Sequence, residues 1–576
     1  MMRLPRLLRN PVALISLSTV LVAGALWAAY EMAAPAAPTL AAWVPQGSLL
    51  SIEALDFSGL LKDWSKSPEQ QRWLTSDNYA DFSRSRLFSR LGDAQGEFAT
   101  SAGLPPDMNF LTQVAGKESI FAWYDIGNLE FLYITHMPSA AAEQTPLMQL
   151  RSKFQQRQAG TESFYVHTQG QPQRTVAFAV HGDYLLLATR EDLIANALLL
   201  MQNQAKQSLA DESWYSAALV AAHAPAGDLR MALNLTRIVP SPYFRSYWIQ
   251  RNITAMKQFS SSVSNLYRTA GSFREERVLL PVSPDTIPSR VDLQPMLALL
   301  PTSAGVYRAT ALPGVDQVLD TLNDKLLTRN PSAYRDERIA PVADVTVQNA
   351  GSAADLDTRI DETPPQQQSS ALSLAPLRAV LESAHISSML VTSSTSAAPS
   401  DIFIPTHSAV LLTADSWNAD ALQASLADAL RAQLTASNHG LNWQQHTEGN
   451  LSWYELTGLQ PLAFALSNHI GIFASDAATL QQILKAPQTA SGAPRFASVI
   501  AGYNHTAERE RFLRLTGILD GNTPKSPDAG DAPPFFSRNM GSLANTFSSL
   551  DSETFTEVPD KTTHTIHQTV LYQWRN

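Results

Sequence analysis

Val176-Ala-Phe-Ala-Val-His-Gly-Asp-Tyr-Leu-Leu-Leu-Ala-Thr189 and Leu462-Ala-Phe-Ala-Leu-Ser-Asn-His-Ile-Gly-Ile-Phe-Ala-Ser475 align without a gap. Each reads as strand, tight turn and strand, because two apolar runs are broken by turn-forming residues, His181-Gly182 in the first and Ser467-Asn468 in the second. Each finishes on a hydroxyl residue, Thr189 or Ser475, whose position predicts the N-cap of a following helix. Those helices carry Leu193, Ala197 and Leu200 in one case and Leu480, Ile483 and Leu484 in the other. That is the spacing of a stripe facing a core.

The flanking segments repeat in the same order, which is the signature of a duplicated unit. Val44 to Leu50 answers Leu300 to Val306, and each opens a strand leading to a helix, marked by Leu60, Leu61 and Trp64 or by Val315, Val318, Leu319 and Leu322. Ser119 to Asp125 is paired with Ser408 to Ala414, each expected to lead to an amphipathic helix capped near Thr145-Pro146 or Asn418. Aromatic-rich stretches follow, Ser213 to Trp248 and Phe496 to Phe536, and the closing strands are Arg274 to Val282 and Thr562 to Trp574. The predicted fold class is α+β: two tandem duplicated modules, residues 43–290 and 291–576, with mainly antiparallel sheets and packed helices. The second carries a loop-rich insertion over residues 328–401, in which Leu372 to Leu390 reads as a helix and a strand packed on the body.

Arg3, Arg6 and Arg9 precede an uncharged run from Pro11 to Tyr30. At about 1.5 Å per residue its apolar positions reach roughly 27 to 30 Å, the thickness of a hydrocarbon core, so residues 11–30 are expected to form one transmembrane helix. The basic flank places residues 1–10 in the cytoplasm and the body outside it, in the periplasm of a bacterium. A cleaved signal peptide is the alternative, with Ala33, Ala34, Ala36 and Ala37 supplying small residues for a cleavage site. Residues 31–42, rich in Ala and Pro, are expected to form a tether, and folding to begin near Trp43.

The 576 residues exceed what one core usually holds, and 44% hydrophobic with 16% charged residues suits a folded protein. A formal charge of −10 argues against a nucleic-acid partner. The absence of cysteine removes disulfides, thiolate metal sites and thiol catalysis.

No catalytic, metal or cofactor residues emerge. Ser76-Asp77-Asn78 matches one signature of penicillin-binding enzymes, but the Ser-x-x-Lys and Lys-Thr-Gly partners are missing, and a polar loop between helices is the better account. His564 and His567 fall in an alternating segment, so a strand puts them on opposite faces and not beside one metal. Asp355, Asp357, Asp361 and Glu362 lack the glycine of a calcium loop and enclose Arg359. Phosphate-cradling glycine motifs are absent as well. Trp214, Tyr215, Tyr243, Phe244, Tyr247 and Trp248 form the richest aromatic group and are the candidates for ligand or partner contact, with a core or interface role as the plainer reading.

Ser65 to Leu91, Ala102-Gly-Leu-Pro-Pro-Asp-Met108, Ala115-Gly-Lys117, Tyr124 to Thr135 and Asp355 to Glu362 together resemble a group of uncharacterised, membrane-anchored envelope proteins of Acidobacteria-type bacteria. The resemblance implies an envelope location and carries no activity or catalytic residue with it. The expected function is a non-enzymatic binding or scaffolding module, held in the inner membrane by residues 11–30, with an envelope protein as partner. A hydrolase whose site forms at the junction of the repeats, and an assembly factor or chaperone for exported proteins, are the alternatives.

Overall fold

The computed structural model describes residues 39–170, 173–222, 226–241, 253, 255–301, 304–327, 374–395, 406–434, 443–448, 451–457, 461–467, 469–486, 492–522, 538 and 541–574. The expected membrane span at 11–30 lies outside them, and among the described residues no helix is long and apolar enough to cross a membrane.

The chain opens with β1 (Leu50–Ala54), then five helices, α1 (Phe57–Lys66), α2 (Pro68–Leu74), α3 (Asp77–Phe82), α4 (Arg86–Ala102) and α5 (Met108–Val114). Next come β2 (Ser119–Asp125), β3 (Glu130–His136), the short α6 (Ser139–Ala142) and α7 (Pro146–Gln149), and the meander β4 (Gln155–Ala159), β5 (Glu162–Gln169), β6 (Arg174–His181) and β7 (Tyr184–Ala188). Two helices, α8 (Glu191–Met201) and α9 (Ser213–Ala222), precede β8 (Leu229–Asn234), α10 (Leu235–Ile238), β9 (Phe259–Arg268) and β10 (Ser272–Pro281).

The remainder begins with β11 (Val291–Asp292), α11 (Gln294–Leu297), β12 (Val306–Ala311), α12 (Val315–Leu322), α13 (Ala375–Ala384), β13 (Ile386–Thr395) and β14 (Thr406–Ala414). It continues through α14 (Ala419–Leu434), β15 (Trp443–Glu448), β16 (Leu451–Leu456), β17 (Leu462–Ser467), β18 (Ile470–Ala474) and α15 (Ala477–Leu484). It closes with β19 (Phe496–Ala497), β20 (Val499–Asn504), α16 (His505–Asn522), α17 (Ser542–Thr546), β21 (Leu550–Asp560) and β22 (Thr565–Trp574).

The molecule is mixed α+β around one antiparallel sheet of 20 strands, with β11 and β19 forming a separate pair. Following the strand pairings, the order is β4-β5-β6-β7-β3-β2-β1-β8-β9-β10, then β22-β21-β20-β12-β13-β14-β18-β17-β16-β15. Read outward from the central β10–β22 pair, the two arms place their strands in the same succession. Registers agree as well: Leu132 of β3 lies between Ala188 and Ala122, and Ala409 of β14 lies between Ala474 and Thr392.

Side chains alternate across each strand, so every arm has two faces to cover. On one face Ala177, Ala179, Leu186 and Ala188 receive Leu193, Ile194 and Ala197 of α8. The matching face of the other arm sets Ala463, Ala465, Ile472 and Ala474 against Leu480 and Ile483 of α15. Alanines at these strand positions let a helix come close, which is the physical content of the aligned hairpins. On the opposite faces lie Val176, Phe178, Leu185 and Leu187 in the first arm and Leu462, Phe464 and Phe473 in the second.

Three local expectations need correction. Thr189 and Ser475 stand one residue before the helix caps, which are Arg190 and Asp476. Their hydroxyls instead accept from strand amides, Phe131 N at 2.9 Å and Ser408 N at 3.1 Å, tying each hairpin to its neighbour. That equivalence makes β14 the counterpart of β3, so Ser119–Asp125 corresponds to Ile386–Thr395 and not to Ser408–Ala414; β2 runs directly into β3 rather than into a helix. The tether ends sooner than expected, because Leu40 and Ala41 already belong to the first core. The helix and strand expected at the tail of the insertion do form, as α13 and β13, and β13 is an interior strand of the sheet.

Candidate functional site

The alternation of β2 sends Ile120 and Ala122 into the α8 core and turns Ser119, Phe121 and Trp123 to the other face. There they meet Phe131 and Tyr133 of β3, Ile52 and Ala54 of β1, Val176 of β6 and Leu187 of β7. The cover is helical: α1, α4 and α5 begin at side-chain caps, with Asp56 accepting from Gly59 N at 3.0 Å, Ser85 from Phe88 N at 3.1 Å and Asp107 from Phe110 N at 2.8 Å. Helix α4 is fastened at its C-terminal part, where Glu97 pairs with Arg174 at 2.5 Å and Ser101 Oγ donates to the Arg174 carbonyl at 3.0 Å.

Between sheet and helices lies a cavity of about 850 Å³. Its floor is aromatic, with the Phe121 and Phe131 rings stacked at 4.8 Å and Trp123 5.3 Å from Phe121. These three rings are only partly buried although their strands are interior to the sheet, because the helices stand off from them. The exposed lining residues Leu91, Gln95, Asn128 and Gln173 mark its opening. In the second arm the corresponding face is filled: Leu319, Leu322, Leu377, Leu381, Leu422 and Leu426 pack on Val410, Leu462 and Phe473.

Several polar groups of the cavity are engaged within the protein. Ser119 Oγ lies 2.6 Å from Thr135 Oγ1, and Tyr133 Oη donates to the Val114 carbonyl at 3.3 Å. Arg190 pairs with Glu130 at 2.8 Å and with Asp192 at 2.5 Å. Histidine is not among the lining residues.

Of the six aromatic candidates, Tyr243, Phe244, Tyr247 and Trp248 lie outside the described residues. Tyr215 is 1% exposed, and its hydroxyl donates to the half-buried Glu53 beneath α9; Trp214 packs partly buried on the same core, its ring 5.7 Å from Tyr215. Burial pushes the Glu53 carboxyl up, against the Tyr215 hydrogen bond and the field of Arg230.

Ser76 caps α3 by accepting from Tyr79 N at 3.1 Å, so Asp77 and Asn78 form its first turn and not a loop. His564 is also displaced from its expected strand: it occupies the turn before β22 at φ 56°, while His567 bonds Thr565 within the strand. The acidic cluster at 355–362 lies outside the described residues, and among those described no group of three or more acidic or histidine side chains is placed to hold a metal.

One serine, carboxylate and histidine do meet. Asp476 accepts from Ser475 Oγ at 3.0 Å and lies 2.8 Å from His407 Nδ1. Ser475 is not bonded to the histidine but accepts from the Ser408 amide, so the group braces β14 to the start of α15. Although burial opposes ionisation of Asp476, hydrogen bonds from His407, Thr479 and Ser475 hold its carboxyl below the ordinary range.

No family model matches the chain, and neither does any curated protein or solved structure. The cavity residues were present in the sequence as large side chains of one parity, Phe121 with Trp123 and Phe131 with Tyr133. Where the second arm has Val391 and Ser393 on β13, the first has Phe121 and Trp123, and that difference between aligned strands is the signal for the site.

Proposed function

We propose that this chain is a non-enzymatic, membrane-anchored envelope module whose first arm binds a small apolar ligand in the cavity under α4. The observation that carries the reading is the partly buried aromatic floor of Phe121, Trp123 and Phe131 inside an 850 Å³ space. Ligand sites are typically concave and mostly apolar, roughly 300–1,000 Å³, with few polar groups. The second arm acts as a scaffold, because its corresponding face is occupied by its own leucines.

Placement outside the cytoplasm rests on the Arg-flanked apolar run at residues 11–30. The two arms are read as products of one duplicated unit, supported by the shared strand succession and by the matched Thr189–Phe131 and Ser475–Ser408 bonds. One copy kept an open face and the other closed it. A partner protein in the envelope would deliver or receive the ligand.

The test is titration with a solvatochromic apolar dye in the wild type and in Ala94→Trp, which places an indole into the cavity from α4. The expected result is saturable dye binding that falls about tenfold or more in the variant, with the melting temperature unchanged; one lost contact set of about 1.4 kcal/mol suffices for that factor. Equal binding by both proteins would exclude the cavity as the site.

A further inference from the structure

The charges at the cavity specify its ligand further, given that the cavity is the binding site. Two arginines line it, and each is neutralised within the protein: Arg174 by Glu97, with its Nη1 also donating to the Asn128 carbonyl at 2.6 Å, and Arg190 by Glu130 and Asp192. Taken together these side chains sum to one negative charge, two cations against three carboxylates. A fatty-acid carboxylate or a phosphate entering here would meet arginines whose charge is already balanced by Glu97, Glu130 and Asp192, in surroundings that are net negative. A further anion beside three carboxylates is disfavoured, because like charges near an apolar wall oppose its ionised form.

What the opening offers instead is uncharged. Gln95 on α4 and Gln173 in the turn just before β6 are exposed lining residues, and among the described residues neither side chain makes a hydrogen bond. A primary amide supplies both a donor and an acceptor, the complement of an alcohol, ester or amide. We propose that the site selects an uncharged lipid, with its hydrocarbon on Phe121, Trp123 and Phe131 and its alcohol or ester head at Gln95 and Gln173. Selectivity against carboxylates is then set by Glu97 and Glu130, which occupy the arginines that would otherwise receive an anion.

The experiment uses the full chain in lipid nanodiscs at pH 9, where a fatty acid is ionised, with two photoreactive probes of equal chain length, a diazirine-bearing hexadecanol and the corresponding hexadecanoate. Labelled peptides are mapped by mass spectrometry and normalised to labelling of the nanodisc lipid. The expected result is that peptides spanning 91–131 and 173–190 take the alcohol about tenfold more than the carboxylate, the factor that about 1.4 kcal/mol produces. Glu97→Gln with Glu130→Gln should raise carboxylate labelling towards that of the alcohol. Carboxylate labelling equal to or above that of the alcohol in the wild type overturns the assignment of an uncharged ligand while leaving the cavity as the site. Labelling of those peptides by neither probe overturns both.

Discussion

Glu53 is a half-buried acid that does not line the aromatic cavity; it accepts from the Tyr215 hydroxyl, with Arg230 in its neighbourhood. Because its folded pKa is raised above the ordinary 4.5, the stability it contributes is fully present below that pH and is lost as pH rises through the folded value. Glu53→Gln mimics the protonated acid and keeps an acceptor for the Tyr215 hydroxyl. The variant is expected to unfold at higher urea than the wild type at pH 8 and to lose that advantage at pH 4; an advantage independent of pH would contradict the assignment. Tyr215 was visible in sequence only as one of several aromatics, because a carboxylate 162 positions away in the chain cannot be assigned to it by local pattern. Thr189 and Ser475 carry a similar lesson. Their position beside a helix suggested caps, but a strand amide from β3 or β14 competes for the same oxygen and wins.

The hairpin β6–β7 and its counterpart β17–β18 were legible as elements because period-two alternation, a turn and a helical stripe coincide in each. Gly182 at φ 54° shows why the first turn could be placed from composition alone. The pairing of β2 and β14 went wrong at the same scale, since one apolar strand resembles another until its neighbours are known. The covering helices also differ in how they pack. Leu426 of α14 is 1% exposed against β14 and β18, whereas Leu91 of α4 is 46% exposed at the cavity opening. Leu426→Ala is therefore expected to cost about 2–5 kcal/mol in chemical denaturation, as buried leucines do. Leu91→Ala should cost about 0.5 kcal/mol or less and yet weaken dye binding. A similar loss of stability from both would mean that α4 is packed as tightly as α14.

Across the whole molecule, two arms of ten strands meet at β10–β22, where Glu276 of one lies opposite Thr569 of the other. Stepping outward in matching registers from that pair reaches an open aromatic face on one side and a leucine-filled face on the other. The aligned hairpins pointed to two similar arms but not to their difference, because which of two similar faces stays open depends on helices that share no aligned motif. Helices α1 to α5 connect β1 to β2 in the first arm, while α12, residues outside the described set and α13 connect β12 to β13 in the second. One ligand per chain, in the first arm only, is the claim on which this account stands. Native mass spectrometry of the full chain purified from cells in detergent measures it directly. The expected spectrum shows one bound lipid per chain in the wild type and none in Ala94→Trp; two bound lipids, or one retained in the variant, would contradict it.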